Sequence, residues 1–179
     1  MAETKMNTGK VRLSYPHLFQ KDQNEKYSLV ALIPKTDTAT VQKMVEICKS
    51  LYMEHKNDLF KGLLFEEVAV PYHDGDGRKP KGGEYGPECK GHYVLSAKSK
   101  SKPLVIGRDK MPITDEEDVY PGTWARVSVG FGVYNNSGSR GICCFLNGVK
   151  SYATGERFGT TFTADGFDDG YDDSDMLED

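Results

Sequence analysis

A chain of 179 residues, with 37% apolar and 28% charged residues, has the composition of a soluble globular protein with one core domain. The sequence holds no apolar run of membrane-spanning length and its start lacks the apolar core of a secretory signal, so we expect a cytoplasmic protein. Four cysteines, including the adjacent pair Cys143 and Cys144, indicate reduced thiols rather than a disulfide framework, because neighbouring side chains of a strand point to opposite faces.

Hydrophobic periodicity predicts the strands. At 10–15, Val11, Leu13 and Tyr15 alternate with polar residues, which is typical of a half-buried strand with these three side chains inward. Residues 27–33 are apolar on both faces, as in a central strand. Further strands are predicted at 63–70, 92–98, 104–106, 124–134 and 142–152, the last two joined by a hairpin loop.

One principal helix is predicted, from N-cap candidates at 36–38 to about Lys56. Its apolar residues recur at spacings of three and four, which indicates a core-facing stripe: Val41, Met44, Val45, Cys48, Tyr52 and His55. The acidic turn at 115–118 is expected to cap a short helical turn.

These elements predict a β-rich fold with a minor α component, built as a small five-stranded barrel or curled sheet with one helix and long loops. Hairpin connections in the second half argue against a doubly wound parallel sheet. The longest loop, 71–91, contains six glycines and three prolines. Loops of this length inside a compact domain are usually functional or disordered.

The outward face of strand 124–134 combines Trp124, Arg126 and Tyr134 with two glycines. Bases of single-stranded nucleic acid stack on aromatic rings for roughly 1–3 kcal/mol each, and nearby cations hold phosphates. Glycine within a strand permits close approach of another chain or a ligand. The alternative is that Trp124 covers a barrel end and the glycines relieve curvature.

Basic residues supply a second indication of a nucleic-acid site. Lys98, Lys100 and Lys102 repeat every second position, so they project from one side if the strand continues, and such a row suits a phosphate backbone. The alternative is a lysine-protected edge strand. The glycine-rich loop adds a basic clamp formed by Arg78, Lys79 and Lys81. Two more stacking candidates are Tyr85 in the same loop and Tyr93 just after it.

The last sixteen residues, 164–179, hold eight acids and no Lys or Arg. Such a segment cannot bury enough apolar surface to order itself, so we expect a disordered tail after a DNA-binding domain at 1–163. Since the whole chain carries −4, residues 1–163 carry +4. The tail residues that can imitate phosphates and bases are Asp165, Phe167, Asp168, Asp169, Tyr171, Asp172, Asp173 and Asp175. The alternative is a solubility device.

Other function classes remain open. A metal-dependent nuclease or resolvase could draw on clustered acids at Asp74, Asp76, Glu84 and 115–118. Cys89 and His92 have the spacing of a zinc half-site that only His73 or Cys143 could complete. A third class is an acidic scaffold that binds proteins and no DNA. The leading interpretation is DNA binding without catalysis and without cofactor or metal.

The chain resembles phage-encoded single-stranded DNA-binding proteins with an OB-fold. The matching features are Gly-Lys-Val-Arg-Leu-Ser-Tyr-Pro-His-Leu-Phe at 9–19, the strand at 27–34 leading into the helix, the strand at 141–150, Gly-Glu-Arg-Phe-Gly at 155–159 and the acidic tail. The resemblance implies a five-stranded barrel with an inserted helix, binding of single strands without sequence specificity, frequent dimerisation, and work in the host cytoplasm. It also implies a tail that masks the DNA groove and recruits replication, recombination or repair proteins.

One feature departs from that family pattern. Such proteins often end in an aromatic residue after the acids, whereas this chain ends Met176-Leu177-Glu178-Asp179. Docking of the tail in a partner's pocket is therefore less well supported than competition of the tail for the groove. Individual DNA contacts do not transfer by motif, so the site residues above rest on strand parity and charge.

Overall fold

Eight strands and one α-helix form the fold in the computed structural model, which describes residues 4–79, 82–136, 139–156 and 158. The predicted tail at 164–179 and Lys81 lie outside the described residues. In chain order the elements are β1 Lys5–Asn7, β2 Val11–His17, β3 Tyr27–Pro34, α1 Thr38–His55, β4 Tyr72–Asp74, β5 His92–Ser99, β6 Leu104–Ile106, β7 Trp124–Asn136 and β8 Ser139–Ser151. Short 3₁₀ turns lie at Phe65–Glu67, Pro87–Cys89 and Glu116–Asp118.

Five of the strands pair in a ring. β7, β2, β3 and β5 pair antiparallel in that order, and β8 pairs antiparallel with β7 over nearly its whole length. The ring closes where β5 meets β8 in parallel at Lys98 and Phe145. This seam is short, so the barrel is not a clean one, and β1, β4 and β6 are added outside the ring. The predicted β-rich fold with one principal helix is confirmed.

The core lies inside the ring and under the helix. The inward face predicted for β7 is confirmed, since Ala125, Val127, Val129 and Phe131 are all buried. The helix α1 contributes a buried stripe to the same core: Met44, Ile47, Cys48, Leu51 and Tyr52. The N-terminus of α1 is capped by Asp37, whose side chain accepts a hydrogen bond from the Thr40 amide.

One local prediction differs from the structure, and two short strands were not predicted. The strand predicted at 63–70 is wrong: this segment forms the 3₁₀ turn Phe65–Glu67, because its apolar residues pack singly against the core while the acids Glu66 and Glu67 face solvent. β1 and β4 were not predicted, since three residues are too few to show a period. Both exist only by pairing with a longer strand.

The cysteines behave as predicted from their spacing. Cys144 is buried and Cys143 half-buried on the opposite face of β8, and all four cysteines are free thiols. Burial raises the pKa of Cys48 to about 12, so this thiol acts as a small apolar core residue. Among the described residues, no helix is long and apolar enough to cross a membrane.

Candidate nucleic-acid interface

An open groove of about 490 Å³ runs across the outer face of β2, β3 and β5. In the register of β3 and β5, Ser28 pairs with Lys98 and Val30 pairs with Ser96, so these four side chains share one face. The floor of the groove is formed by the three short ones among them, Ser28, Val30 and Ser96. The remaining walls come from β2 and from the turn that joins it to β3: Tyr15, His17, Asp22, Gln23 and Asn24. The surface of the groove is mostly apolar although several of its residues are polar, and one lysine, Lys98, is part of the lining.

Tyr15 stands at the edge of this groove. Its side chain is 71% exposed, and its φ of 47° lies in the left-handed region that a bulky residue rarely adopts. The prediction that Tyr15 faces the core is wrong, because the register with β3 shifts between Ser14 and His17. Bulges of this kind re-aim a side chain, and here the result is an aromatic ring held in solvent.

Phe145 lies next to Lys98 across the parallel seam and is 51% exposed. A Cβ built on Gly132 would lie 2.9 Å from the Phe145 ring, so this ring covers the glycine of β7. Gly130 in turn pairs with β1. The two glycines thus accommodate the protein's own chain. Sequence reasoning missed Phe145, although its parity would have revealed it, since Ile142, Cys144 and Leu146 are all buried.

The predicted lysine row is interrupted. β5 ends at Ser99, whose hydroxyl donates to the carbonyl of Ser101 and accepts from its amide, so the chain turns there. Lys98 faces the groove, while Lys102 lies with its Nζ 5.7 Å from the centre of the Phe19 ring. All three lysines are exposed, but they do not form a continuous row, because the strand does not continue through Lys100 and Lys102.

The glycine-rich loop folds back over the outer face. A bridge joins Arg78 to Glu84, and the Lys79 amide donates a hydrogen bond to the Gly83 carbonyl, so the two arms of the loop pair with each other. Lys79 Nζ lies 5.8 Å from the centre of the Tyr85 ring. Tyr85 packs against what we call the outer apolar cluster: Leu32, Cys89 and Val94, with Val30 and Phe158 around them. Burial raises the pKa of the Tyr85 hydroxyl.

Two other predicted stacking residues lie away from the groove. Tyr93 faces the core side of β5, with its ring 6.5 Å from that of Tyr72 and 5.5 Å from Lys35 Nζ. Tyr134 is ten residues from Trp124 along β7, about 30 Å of strand, and its hydroxyl lies against Gly141. A single stacking site cannot include both Trp124 and Tyr134.

Trp124 belongs instead to a row in which cations and aromatic rings alternate, which we call the cation–aromatic ladder. Lys10 Nζ lies 5.2 Å from the centre of the Trp124 ring and 5.9 Å from that of Tyr152. The Arg12 guanidinium lies 5.6 Å from Trp124 and 4.2 Å from Phe158. Arg108 completes the row 5.4 Å from Tyr152. Arg126 lies outside it, with its Nε donating to the Thr8 carbonyl.

Two of the acids considered for metal binding are engaged in an ion pair with a lysine. Asp74 and Asp76 each lie 2.7 Å from Lys35 Nζ, which lowers the pKa of both carboxyl groups. The ammonium therefore neutralises this pair and ties the end of β4 to the turn after β3. Burial raises the pKa of the Cys89 thiol, which disfavours the thiolate that zinc requires. Across the part of the chain that the structure describes, no three His, Cys, Asp or Glu side chains are grouped to hold a metal ion.

A five-strand ring with a groove on its outer face, bordered by exposed rings and a lysine, is the arrangement of barrels of the OB type, which bind oligonucleotides and oligosaccharides. Comparison with known proteins defines the family. A family model described as "Enterobacter phage Enc34, ssDNA-binding protein" matches residues 4–177. The chain therefore belongs to the family of this phage protein.

Individual relatives agree with that assignment. Protein p50 of Acyrthosiphon pisum secondary endosymbiont phage 1 is 29% identical over 178 residues, covering 92% of this chain and 93% of p50. The single-stranded DNA-binding protein of bacteriophage Enc34, solved in complex with ssDNA, superposes with a TM-score of 0.70 at 26% identity, covering 87% of this chain and 90% of that one. The single-stranded DNA-binding protein gp2.5 of bacteriophage T7 gives 0.59 at 13% identity, covering 97% of each chain, and shares the fold.

Proposed function

We propose that this phage-family protein binds single-stranded DNA in the groove on the outer face of β2, β3 and β5, without strong sequence preference and without catalysis. The observation that carries the proposal is that two exposed rings accompany Lys98: Tyr15 lines the groove together with Lys98, and Phe145 is the register partner of Lys98 on the neighbouring strand β8. Apolar rings left in solvent beside a cation suit a ligand that has flat bases and a phosphate backbone. Membership of the Enc34 family supports the same ligand class.

The groove favours stacking over base reading. Its floor of Ser28, Val30 and Ser96 offers few fixed donors or acceptors that could distinguish one base from another. Each stacked base contributes roughly 1–3 kcal/mol, whatever its identity, because every base has an aromatic face. Bases of a duplex are already stacked on each other, so single strands should bind better.

The proposal extends to the acidic tail and to the biological role. Residues 164–179 carry eight acids against a body of +4, so the tail is suited to compete with DNA for the positive surface and to recruit replication, recombination or repair proteins. The protein would coat and protect single strands in the cytoplasm of an infected cell, as a monomer or homodimer. These roles rest on charge and on the family resemblance.

Titration of a labelled oligothymidine by fluorescence anisotropy tests the binding site. Tyr15→Ala and Phe145→Ala should each weaken binding, whereas Leu104→Ala, at a side chain 62% exposed on β6, should not. If all three variants bound the oligothymidine equally well, the proposal that DNA binds in this groove would be contradicted. Incubation of the labelled strand with Mg²⁺ examines the nuclease alternative, and cleavage that is lost in Asp74→Asn would overturn the binding-only function.

A further inference from the structure

The cation–aromatic ladder lies outside the proposed groove and has a regular composition of its own. It contains three cations and three rings in strict alternation, from Arg108 through Tyr152, Lys10, Trp124 and Arg12 to Phe158. These residues come from β2, β7, the residues after β8, and the loops before β2 and after β6. The fold therefore assembles, from distant parts of the sequence, a surface in which each cation lies within about 6 Å of a ring.

Two of the three cations are available to a ligand. The Arg12 guanidinium is held by the carbonyls of Gly122 and Glu156, so its polar edge is already used. Lys10 and Arg108 are exposed, and within the described residues no carboxylate lies within 4.0 Å of either charged group. Because no acid of the described residues pairs with them, Lys10 and Arg108 are suited to bind an anion.

The ladder is continuous with the proposed groove. Phe158, its last ring, packs in the outer apolar cluster together with Val30, and Val30 also lines the groove. Arg12 is the register partner of Trp124 in β7 and of Leu32 in β3, and Leu32 belongs to the outer apolar cluster, so the ladder lies on the same face of the sheet. A strand that leaves the groove past Val30 therefore meets half-buried rings and two free cations.

We propose that the ladder is a second contact segment for single-stranded DNA, in which Lys10 and Arg108 bind phosphates and the rings of Trp124 and Tyr152 stack against bases. This inference rests on the proposed function and extends the path of the bound DNA from the groove to the ladder. Two segments that bind one strand raise its affinity only when the strand is long enough to reach both. The ladder thus predicts a length threshold.

The test compares oligothymidines of about 6 and about 16 nucleotides, which lie towards the lower and upper ends of the range of OB-fold site sizes. The double variant Lys10→Gln/Arg108→Gln should bind the short strand as the wild type does. Loss of two phosphate contacts should lower the slope of log affinity against log salt by about 1.4 for the long strand. When the salt concentration rises from 50 to 200 mM, the factor by which affinity for the long strand falls should then be about 7 times smaller for the variant than for the wild type.

Lys56→Gln/Lys61→Gln is the matched control, because it removes the same charge from two exposed lysines beyond the C-terminus of α1. Trp124, the single tryptophan of the chain, provides an independent readout. Its fluorescence should change with the long strand and stay constant with the short one. The ladder proposal is overturned if short and long strands are affected equally, if neither is affected, or if the control loses as much. If the wild type binds neither strand, the proposed function itself fails.

Discussion

Tyr15 offers a test in which stability and affinity should change in opposite directions. Its φ of 47° costs a non-glycine residue about 1–2 kcal/mol, and its ring, 71% exposed, returns little by packing. Tyr15→Gly relieves the backbone but adds about 0.5–1 kcal/mol of chain entropy to be lost on folding. We therefore expect Tyr15→Gly to raise the free energy of unfolding by up to about 1.5 kcal/mol.

Tyr15→Ala keeps the left-handed backbone and removes only the ring. Its free energy of unfolding should stay within about 0.5 kcal/mol of the wild type, as for other exposed positions. Both variants lose the stacked base, worth about 1–3 kcal/mol, so their affinity for a short oligothymidine should fall about 5-fold to 150-fold.

Urea unfolding followed by circular dichroism and anisotropy titration at one salt concentration supply the two numbers. The reasoning fails if either variant binds as well as the wild type, because the exposed ring would then have no part in binding. It also fails if Tyr15→Ala costs more than about 1 kcal/mol of stability, since the ring would then be a packing residue.

Three further predictions follow from the charges. Lys98→Gln should lower the salt slope of binding by about 0.7, as one lost phosphate contact requires, whereas Lys61→Gln leaves the slope unchanged in the same titration. Lys35 lowers the pKa of Asp74 and of its companion carboxyl group, so the stability from this cluster is present above about pH 3.9 and is lost as the pH falls through the lowered values. Thermal unfolding against pH should therefore decline more steeply below pH 4 for the wild type than for Lys35→Met. Truncation after Thr163 should tighten binding of oligothymidine and steepen its salt dependence, since no tail remains to be displaced. An unchanged affinity would contradict the competition between tail and DNA for the groove.

Periodicity was sufficient to predict the elements whose stability comes from a long buried face. A run of more than ten residues shows its period clearly, so the inward residues of β7 were predicted correctly. The stripe of α1 was predicted in part: Met44, Cys48 and Tyr52 are buried, whereas Val45 and His55 are only half-buried and the buried Ile47 was missed. Short strands such as β1 and β4 leave no such record. Their formation depends on the neighbouring strand, which a local pattern cannot reveal.

The candidate site was harder to predict because it depends on contacts between distant segments. A one-residue bulge turns Tyr15 from the core to the solvent, and a serine turn at Ser99 ends the lysine row after its first member. Trp124 was identified from the sequence, but its partners Lys10 and Tyr152 come from other parts of the chain. Register, which sequence alone does not give, decides all of these.

Photo-cross-linking of the full-length protein to an oligothymidine that contains bromouracil tests the central claim most directly. Mass spectrometry of the cross-linked peptides should identify Tyr15 and Phe145 with a strand of about six nucleotides. Adducts confined to the helix face around Met53, or to the edge strand at Leu104, would contradict the account, because those exposed apolar residues lie outside the groove.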